Sequence, residues 1–548
     1  MATITGSEVL AQALRSQGVD TLFYLMGGPM LETEAACIQL GIRAIDTRHE
    51  QAAALAAHAW TRVTRRPGVC MGCSGPGTTN LVTGVANAFT DCAPVVAIGG
   101  SSPRIFLGME AFQEIDQVAV MRPITKWAER IYDARRIPEI VATAFRQATT
   151  GRPGPVYLDL PGDILGEKVE EESVKYPPAW RPAPRTLGDP GAVREAIALL
   201  ARAERPVVIG GSGVWWSDAA AAFQTFVEAT GIPFYTTPIS RGLVPEDHPL
   251  AFLNARTKAF TEADVVFAVG TRFNWMIQFG RPPRFAADLR VIHVDINPTQ
   301  LGHNRAVDVP IAGDARAVLE QLRAEAEGKI DPRRYAAWVG KLRTLDGEKS
   351  AEMDKAMGSD ATPIHPLRLC KEVRDFLRRD AILVVDGQEI LNYGRQAIPT
   401  FVPGHRLNSG PFGCMGVGLP FGVGAKVAKP DAQVVVLHGD GSYGLNAMEI
   451  DTAVRHKIPV VVVISNNGGW TADVPWTRPL PKPGRKLGHT RYDKVAQELG
   501  AHGEYVEKPH EIRPALERAW ASGKPAVVNV ITDWKARAQT VRFSAYAT

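Results

Sequence analysis

Two stretches decide the reading of this chain: Val434-Val435-Val436-Leu437-His438-Gly439-Asp440-Gly441-Ser442, and Pro459-Val460-Val461-Val462-Val463-Ile464-Ser465-Asn466-Asn467-Gly468-Gly469-Trp470. The first apolar run predicts a buried strand. Gly439 and Gly441 flank an acid at its end, where backbone must come close to something. A helix is predicted from Ser442 to His456, with Ser442 as its cap. Pro459 to Ile464 predicts a second buried strand, with Asn466 and Asn467 at its end. A right-handed crossover puts both strand ends on one edge of a parallel sheet. Asp440 and Asn467, 27 positions apart in the chain, become neighbours there. A carboxylate and a carboxamide oxygen beside glycine amides make a hard-cation site with positions open for phosphate oxygens. On these residues alone, an ordinary strand–helix–strand unit with a glycine turn is the other reading.

The chain has 548 residues, long enough for three to four domains. With 62 basic and 58 acidic residues its net charge is +4, too balanced to point to nucleic acid or a membrane surface. Any basic patch for an anionic substrate must therefore be local. The longest apolar runs are strand-length, so no membrane span is expected. The N-terminus lacks a charged and an apolar signal region, and the final Tyr546-Ala547-Thr548 is not a peroxisomal address. A cytoplasmic protein is expected. Cys70 and Cys73 form a CxxC with no second pair or histidine cluster nearby. Buried free cysteine is the better reading than redox or zinc chemistry.

From the start of the chain, Ser7 to Gly18 predicts an amphipathic helix. Leu22 to Met26 predicts a strand ending in Gly27-Gly28-Pro29, and Arg43 to Asp46 a second strand. An alanine-rich helix begins in Thr47-Arg48-His49-Glu50-Gln51. A strand at Gly68 to Met71, a turn at Gly75-Pro76-Gly77, a helix to Phe89 and a strand at Pro94 to Gly99 follow. This alternation predicts an α/β fold, a doubly wound parallel sheet. Gly77 to Pro94 and Gly441 to Pro459 share a pattern: glycine turn, helix, proline, valine-rich strand. They suggest two copies of one fold, one at each end of the chain.

Glu167 to Pro190, rich in Pro, Glu and Lys, predicts a linker. A middle domain follows, with strands at Pro206 to Ile209, Ala263 to Val269 and Leu289 to Asp295 and a Gly210-Gly211-Ser212-Gly213 turn. The layout is Rossmann-like, and Asp295 closes a strand where a ribose hydroxyl could bind. Glu325 to Pro363 is charged and strand-free, a second linker with some helix. The expected domains are 1–170, 190–325 and 364–548, each a doubly wound parallel sheet.

The GDG followed by NN at this spacing resembles the fingerprint of thiamine-diphosphate enzymes. The resemblance implies Mg²⁺ held by Asp440, the Asn467 side-chain oxygen and the Gly469 carbonyl. It places the cofactor against Gly27, Gly28, Gln388, Gly439, Gly441 and Ser442 as well. It also gives Glu50 a role against the aminopyrimidine ring, favouring the tautomer that removes the thiazolium proton to leave a ylide. Without the resemblance, Glu50 is a solvated glutamate near a helix start. Phe112-Gln113-Glu114-Ile115-Asp116, Arg122-Pro123-Ile124-Thr125-Lys126 and Arg152-Pro153-Gly154-Pro155-Val156-Tyr157 look like the acetohydroxyacid synthases and their relatives. Gln113 would then donate beside the thiazolium. Asn408 to Gly416 looks like the loop that bends the cofactor, with Met415 propping its two rings into a V. Taken singly, Gln113 is a surface amide and Met415 a core methionine.

In the middle domain, Gly270-Thr271-Arg272-Phe273-Asn274-Trp275, Phe279-Gly280-Arg281-Pro282-Pro283-Arg284-Phe285 and Val294-Asp295-Ile296 are similar to 2-hydroxyacyl-CoA lyases and oxalyl-CoA decarboxylases. That resemblance implies bound ADP rather than flavin, contacted by Arg152, Arg272 and Asp295. The arginines could equally be surface charges. Oxalyl-CoA decarboxylases carry Tyr-Glu where this chain has Phe112-Gln113, so the resemblance leans to the lyase. Glu389, in Asp386-Gly387-Gln388-Glu389, stands where relatives place a neutral residue near the diphosphate. It points away, is protonated, serves as an acid/base at the reacting carbon, or faces solvent. The expected reaction is cleavage of a 2-hydroxyacyl-CoA to formyl-CoA and a ketone or aldehyde, or the reverse acyloin condensation, with a short substrate such as 2-hydroxyisobutyryl-CoA. An acetohydroxyacid synthase-like carboligase, an oxalyl-CoA decarboxylase or a non-catalytic relative are the alternatives. Glu50 and the metal site fall in different domains, so an active site between subunits of a homodimer or homotetramer is expected. Lys535, Arg537 and Arg542, with Phe543 and Tyr546, are expected to form a lid over a CoA-thioester substrate.

Overall fold

A computed structural model describes residues 2–179, 184–470 and 483–538. Valine-rich runs alternating with helical periods become parallel strands, because each run is buried on both faces. The N-terminal sheet has six parallel strands, ordered Arg43–Asp46, Thr21–Tyr24, Gly68–Gly72, Val95–Ser101, Val156–Pro161 and Ala128–Arg130. The C-terminal sheet has six more, ordered Arg406–Leu407, Ile382–Asp386, Val434–Gly439, Val461–Asn466, Ala526–Ile531 and His502–Val506. Both sheets run second, first, third, fourth, sixth, fifth in chain order. The repeat expected from the two glycine-turn segments is therefore a repeat of topology. The middle sheet has five parallel strands, ordered Phe234–Thr236, Pro206–Gly210, Val265–Val269, Arg290–Asp295 and Val309–Ala312.

Three parallel-sheet α/β domains are thus present, each with its own core. Val69, Ile98 and Leu158 are at the centre of the first, Val208, Phe267 and Ile292 of the second, Leu437, Val463 and Val528 of the third. In every sheet the first and third strands lie side by side and the chain leaves them in opposite directions. That is the switch point at which such sheets leave a crevice beyond their carboxyl ends.

The chain packs as two compact units. One comprises the N-terminal domain with Ser409–Asp431 and Asn446–Val460; the other comprises the middle domain and the rest of the C-terminal one. In the first unit, the helix Gly418–Ala428 lies against the helix Glu50–Thr64. Their approach is close enough that a Cβ on Gly424 would meet the Ala56 carbonyl at 2.2 Å. Among the described residues no helix is long and apolar enough to cross a membrane.

Several local expectations are corrected. The helix after Gly439 starts at Asp440 and is broken: Asp440–Leu445, then Glu449–Arg455. The break falls at Asn446, whose side-chain amide donates to the Gly416 carbonyl at 2.7 Å. Ser442 caps nothing; its hydroxyl donates to the Gly439 carbonyl at 3.0 Å. The first linker is partly folded, because Lys168–Glu170 pairs antiparallel with Thr3–Thr5 and Val174 is buried. The second linker contains the helix Ala336–Met357, which buries Trp338 and Leu342 in the middle core. Of the segment after the last strand, the described part ends at Ala538, which is buried in the third domain's core. Cys70, by contrast, is buried and free as expected, and burial pushes its thiol up to about 12, while Cys73 is free and half-buried.

Candidate active site

At the switch point of the C-terminal sheet, Asp386 and His438 are register partners on the first and third strands. Gly387 and Gly439 follow them, and a Cβ on Gly387, which has φ +117°, would lie 3.2 Å from the Gly439 nitrogen. Asp440 is 2 % exposed, and burial pushes its carboxyl up to about 6 while the N–H groups of Gly441, Gly468 and Gly469 pull it back. Its Oδ2 is buried with no hydrogen-bond partner among the described residues. Asn467 sits just past the next strand, and its Oδ1 accepts the Gly469 N–H at 3.2 Å. A Cβ on Gly469 would lie 2.0 Å from the Arg485 carbonyl, and one on Gly441 would meet the Trp470 ring at 2.7 Å. These glycines are demanded by close approach. Asp440, Asn467 and Gly469 are thus gathered at one sheet edge, as the spacing predicted. His438 is buried beside them and held neutral, its value driven down to about 3 by burial.

In the first unit the corresponding switch point carries Gly27, Gly28 and the turn Cys73 to Gly77. A Cβ on Gly27 would strike the Cys73 Cβ at 2.6 Å. Glu50 opens the helix Glu50–Thr64 and is 5 % exposed, not solvated. Asn80 Nδ2 donates to its Oε2 at 2.9 Å, and Oε1 would lie 3.2 Å from a Cβ on Gly77. Gln113 is half-buried with φ +60°, and its Oε1 accepts the Ser74 hydroxyl at 2.6 Å, which leaves its amide as a donor. Gln117 is buried and orders the same turn: its Oε1 accepts the Gly75 N–H at 2.5 Å, and its Nε2 donates to the Gly100 carbonyl and Asp159. Met415 is half-buried in this unit.

Glu389 starts the helix Glu389–Ala397 and does not face solvent. Its Oε2 accepts the Ala538 N–H at 2.8 Å, and burial raises its carboxyl although Arg537 opposes this. The side chain therefore points into the tail. The same helix carries Asn392, Tyr393 and Arg395 to the wall of a cavity of about 760 Å³. Arg256, Arg281, Arg284 and Arg537 also line it. The acids on the wall are Glu246, paired with Arg241, and Glu352. Arg256 is pushed down to about 9 by burial and by the neighbouring Arg284 and Arg395, and its Nε is buried with no partner among the described residues. Lys535 is exposed, and Arg542, Phe543 and Tyr546 lie outside the described residues. Arg272 follows the strand Val265–Val269 and Asp295 ends the adjacent strand Arg290–Asp295, where it accepts the Asn297 N–H at 2.8 Å. Arg152 belongs to the first unit, where it donates to Cys92 Sγ at 3.0 Å and lies over the Phe89 ring.

Comparison with known proteins agrees with this layout. Three family models match in order: thiamine pyrophosphate enzyme N-terminal TPP binding domain over residues 4–120, central domain over 193–322, and C-terminal TPP binding domain over 391–530. The chain belongs to the thiamine pyrophosphate enzyme family. Among the similar members is the acetolactate synthase large subunit IlvG of Mycobacterium tuberculosis, 39% identical over 97% of this chain and 96% of that protein. The human 2-hydroxyacyl-CoA lyase 1 is 34% identical over 97% and 95%, and the oxalyl-CoA decarboxylase of Escherichia coli 34% over 96% and 95%.

The residues of this thiamine pyrophosphate enzyme fit the cofactor. An orphaned buried carboxylate oxygen on Asp440, two oxygen donors beside it and a glycine-built crevice suit a cation and a diphosphate. Sequence reasoning missed Asn80, Gln117, the arginine cavity and Glu34. Tertiary packing brings them together, and each is an unremarkable polar residue in its local pattern.

Glu34 is 4 % exposed, has a buried Oε1 without a partner among the described residues, and is pushed up to about 7 by burial and then by Asp46. The folded protein thus holds this proton more tightly than the unfolded chain. The stability Glu34 contributes is present at low pH and is lost as pH rises through about 7. Glu34→Gln should therefore stabilise the fold at pH 8 by about 3 kcal/mol, read as a higher Tm, and leave Tm unchanged near pH 4. Thermal melts at the two pH values check this; an equal effect at both would assign the change to packing.

Proposed function

We propose that the protein is a carbon–carbon lyase that cleaves 2-hydroxyacyl-CoA esters to formyl-CoA and a ketone or aldehyde, or runs the reverse condensation. The observation that carries this reading is the arginine-lined cavity, joined to the cofactor switch point by the single helix Glu389–Ala397. Arg256, Arg284 and Arg395, half-buried and mutually repelling, call for a polyanion, and the phosphates of a CoA ester supply one. A free 2-oxo acid has one carboxylate and needs no such wall. A short acyl group such as 2-hydroxyisobutyryl is preferred.

When bound, thiamine diphosphate supplies the carbon nucleophile and the electron sink for the carbonyl carbon. Asp440, Asn467 and the Gly469 carbonyl would hold Mg²⁺. Gly439, Gly441, Ser442 and Gln388 would line the diphosphate crevice, with Gly27, Gly28 and Met415 placing the rings. Glu50 holds and moves a proton at an aminopyrimidine nitrogen, and the Gln113 amide donates to the reacting oxygen. Glu389 anchors the segment after the last strand through Ala538, and Lys535 and Arg537 of that segment would meet the CoA end. Domains of 1–170, 190–325 and 364–548 in a homodimer or homotetramer, in the cytoplasm, complete the reading.

The experiment is incubation with a panel of 2-hydroxyacyl-CoA esters, following formyl-CoA. With the ester turned over fastest, Arg256→Ala should raise KM about tenfold or more, the worth of a charge-assisted hydrogen bond, with kcat less affected. No formyl-CoA from any ester would overturn the reading. The similarity to an acetolactate synthase supports a second reading, a carboligase of 2-oxo acids. The middle domain separates the two. With Arg152, Arg272 and Asp295 holding ADP, the purified protein is colourless; a stoichiometric flavin spectrum would move the reading to the carboligase.

A further inference from the structure

The short helix Glu449–Arg455 grips the backbone that leads into Glu50, and all of these residues belong to the first unit. Glu449 is 2 % exposed. The Arg48 N–H donates to both of its carboxylate oxygens, each at 3.2 Å, and the His49 N–H points at the same group. Thr452 Oγ1 donates to Oε2 at 2.7 Å and orients the carboxylate. At the other end of the helix, Arg455 pairs with the Asp46 carboxylate and donates to the Asp46 carbonyl at 3.0 Å. His456 Nε2 lies 2.6 Å from Asp46 Oδ1. Asp46, Arg48 and His49 are therefore held from one element, and the next residue is Glu50.

The arrangement is specific. Glu449 reads main chain rather than the Arg48 guanidinium, which reaches instead toward Asp451 at 3.8 Å. Burial pushes the Glu449 carboxyl up to about 7, while Thr452, the two N–H groups and Arg455 oppose it. Keeping a carboxylate buried is costly, and an exposed turn could be solvated by water without it. The N–H groups it takes are those of the residues directly before the helix Glu50–Thr64. Orientation of that first helical residue is sensitive to the entry angle of the chain, because Glu50 sits at the start where no preceding turn restrains it.

We propose that Glu449 is a positioning residue for Glu50, holding the Arg48–His49 backbone so that the Glu50 carboxylate is turned toward Asn80 and Gly77. The proposal rests on the reading of Glu50 as the group that moves a proton at the cofactor. A misplacement of about 1 Å at such a group is enough to cost catalysis one to two orders of magnitude.

The test uses full-length holoenzyme as wild type, Glu449→Gln, Glu50→Gln and the double variant. Two quantities are read: amide hydrogen–deuterium exchange of residues 46–50, and the rate at which bound thiamine diphosphate exchanges its thiazolium proton, followed by NMR after an acid quench. Glu449→Gln should speed amide exchange at Arg48 and His49 and slow thiazolium exchange on the order of tenfold. The double variant should be no slower than Glu50→Gln alone, because Glu449 acts through Glu50. If Glu449→Gln does not fold, Thr452→Val, which removes only the orienting hydroxyl, should give the same pattern in weaker form. Wild-type amide exchange at Arg48 and His49, or losses that multiply in the double variant, would overturn the proposal. Undiminished thiazolium exchange in Glu50→Gln would sink the reading of Glu50 instead, and the amide exchange would then decide alone whether Glu449 holds the turn.

Discussion

Asp440→Ala is expected to abolish Mg²⁺-dependent binding of thiamine diphosphate. The carboxylate is buried at 2 % exposure, and its Oδ2 has no hydrogen-bond partner among the described residues. Burying an ionised oxygen without a partner costs several kcal/mol, so the position makes sense as a ligand to a cation. The other protein oxygens at the site, from Asn467 and the Gly469 carbonyl, are neutral. Alanine removes the one negative charge that the protein offers to a cation shared with two phosphates. The fold should survive, because the strand Val434–Gly439 and the glycine contacts around it are untouched. The measurement is a titration of apoenzyme with thiamine diphosphate and Mg²⁺, read by tryptophan fluorescence, with Trp470 packed on Gly441 as a local reporter. Wild-type saturation in the variant would contradict the site.

Glu50→Gln is expected to slow turnover a hundredfold or more, the range for losing an acid–base group, while cofactor affinity and Tm stay near wild type. The amide is isosteric, and its oxygen can still accept from Asn80, which now donates to Glu50 at 2.9 Å. What glutamine cannot do is exchange a proton at the cofactor ring. Packing should hold, because the Gly77 contact that limits the space beside Oε1 is unaffected by the exchange of O for NH₂. Steady-state rates and binding titrations on one preparation separate the two effects. Turnover within a few fold of wild type would mean that Glu50 is buried for structure and not for chemistry.

Much of this site is legible along the chain. The strand runs around Asp440 and Asn467, the glycine turns and the doubled topology all follow from local periodicity and from the handedness of the crossover. Those are short-range rules: a buried parallel strand must be apolar throughout, and a backbone that approaches another must lack a Cβ. The spacing of Asp440 and Asn467 was informative because one strand–helix–strand unit converts separation in sequence into adjacency on a sheet edge.

Other parts were decided only by tertiary packing. The break of the predicted helix at Asn446 is set by a bond to Gly416, a partner that no local pattern announces. Glu389 is open between several fates in the sequence, and the Ala538 N–H, 149 positions further on, is what its carboxylate accepts from. Arg256, Arg284, Arg395 and Arg537 are ordinary charged residues in their own segments and form a cationic wall only where those segments meet. Glu449 falls inside the helix predicted from Ser442 to His456 with nothing local to single it out, yet it is buried against the main chain before Glu50. The sequence by itself determined the elements, the three sheets and the residues at their carboxyl edges, because hydrophobic period and backbone sterics act over a few residues. Tertiary structure alone decided which polar groups are buried and what satisfies them, because desolvation and hydrogen bonding depend on neighbours that chain folding brings together from hundreds of positions away.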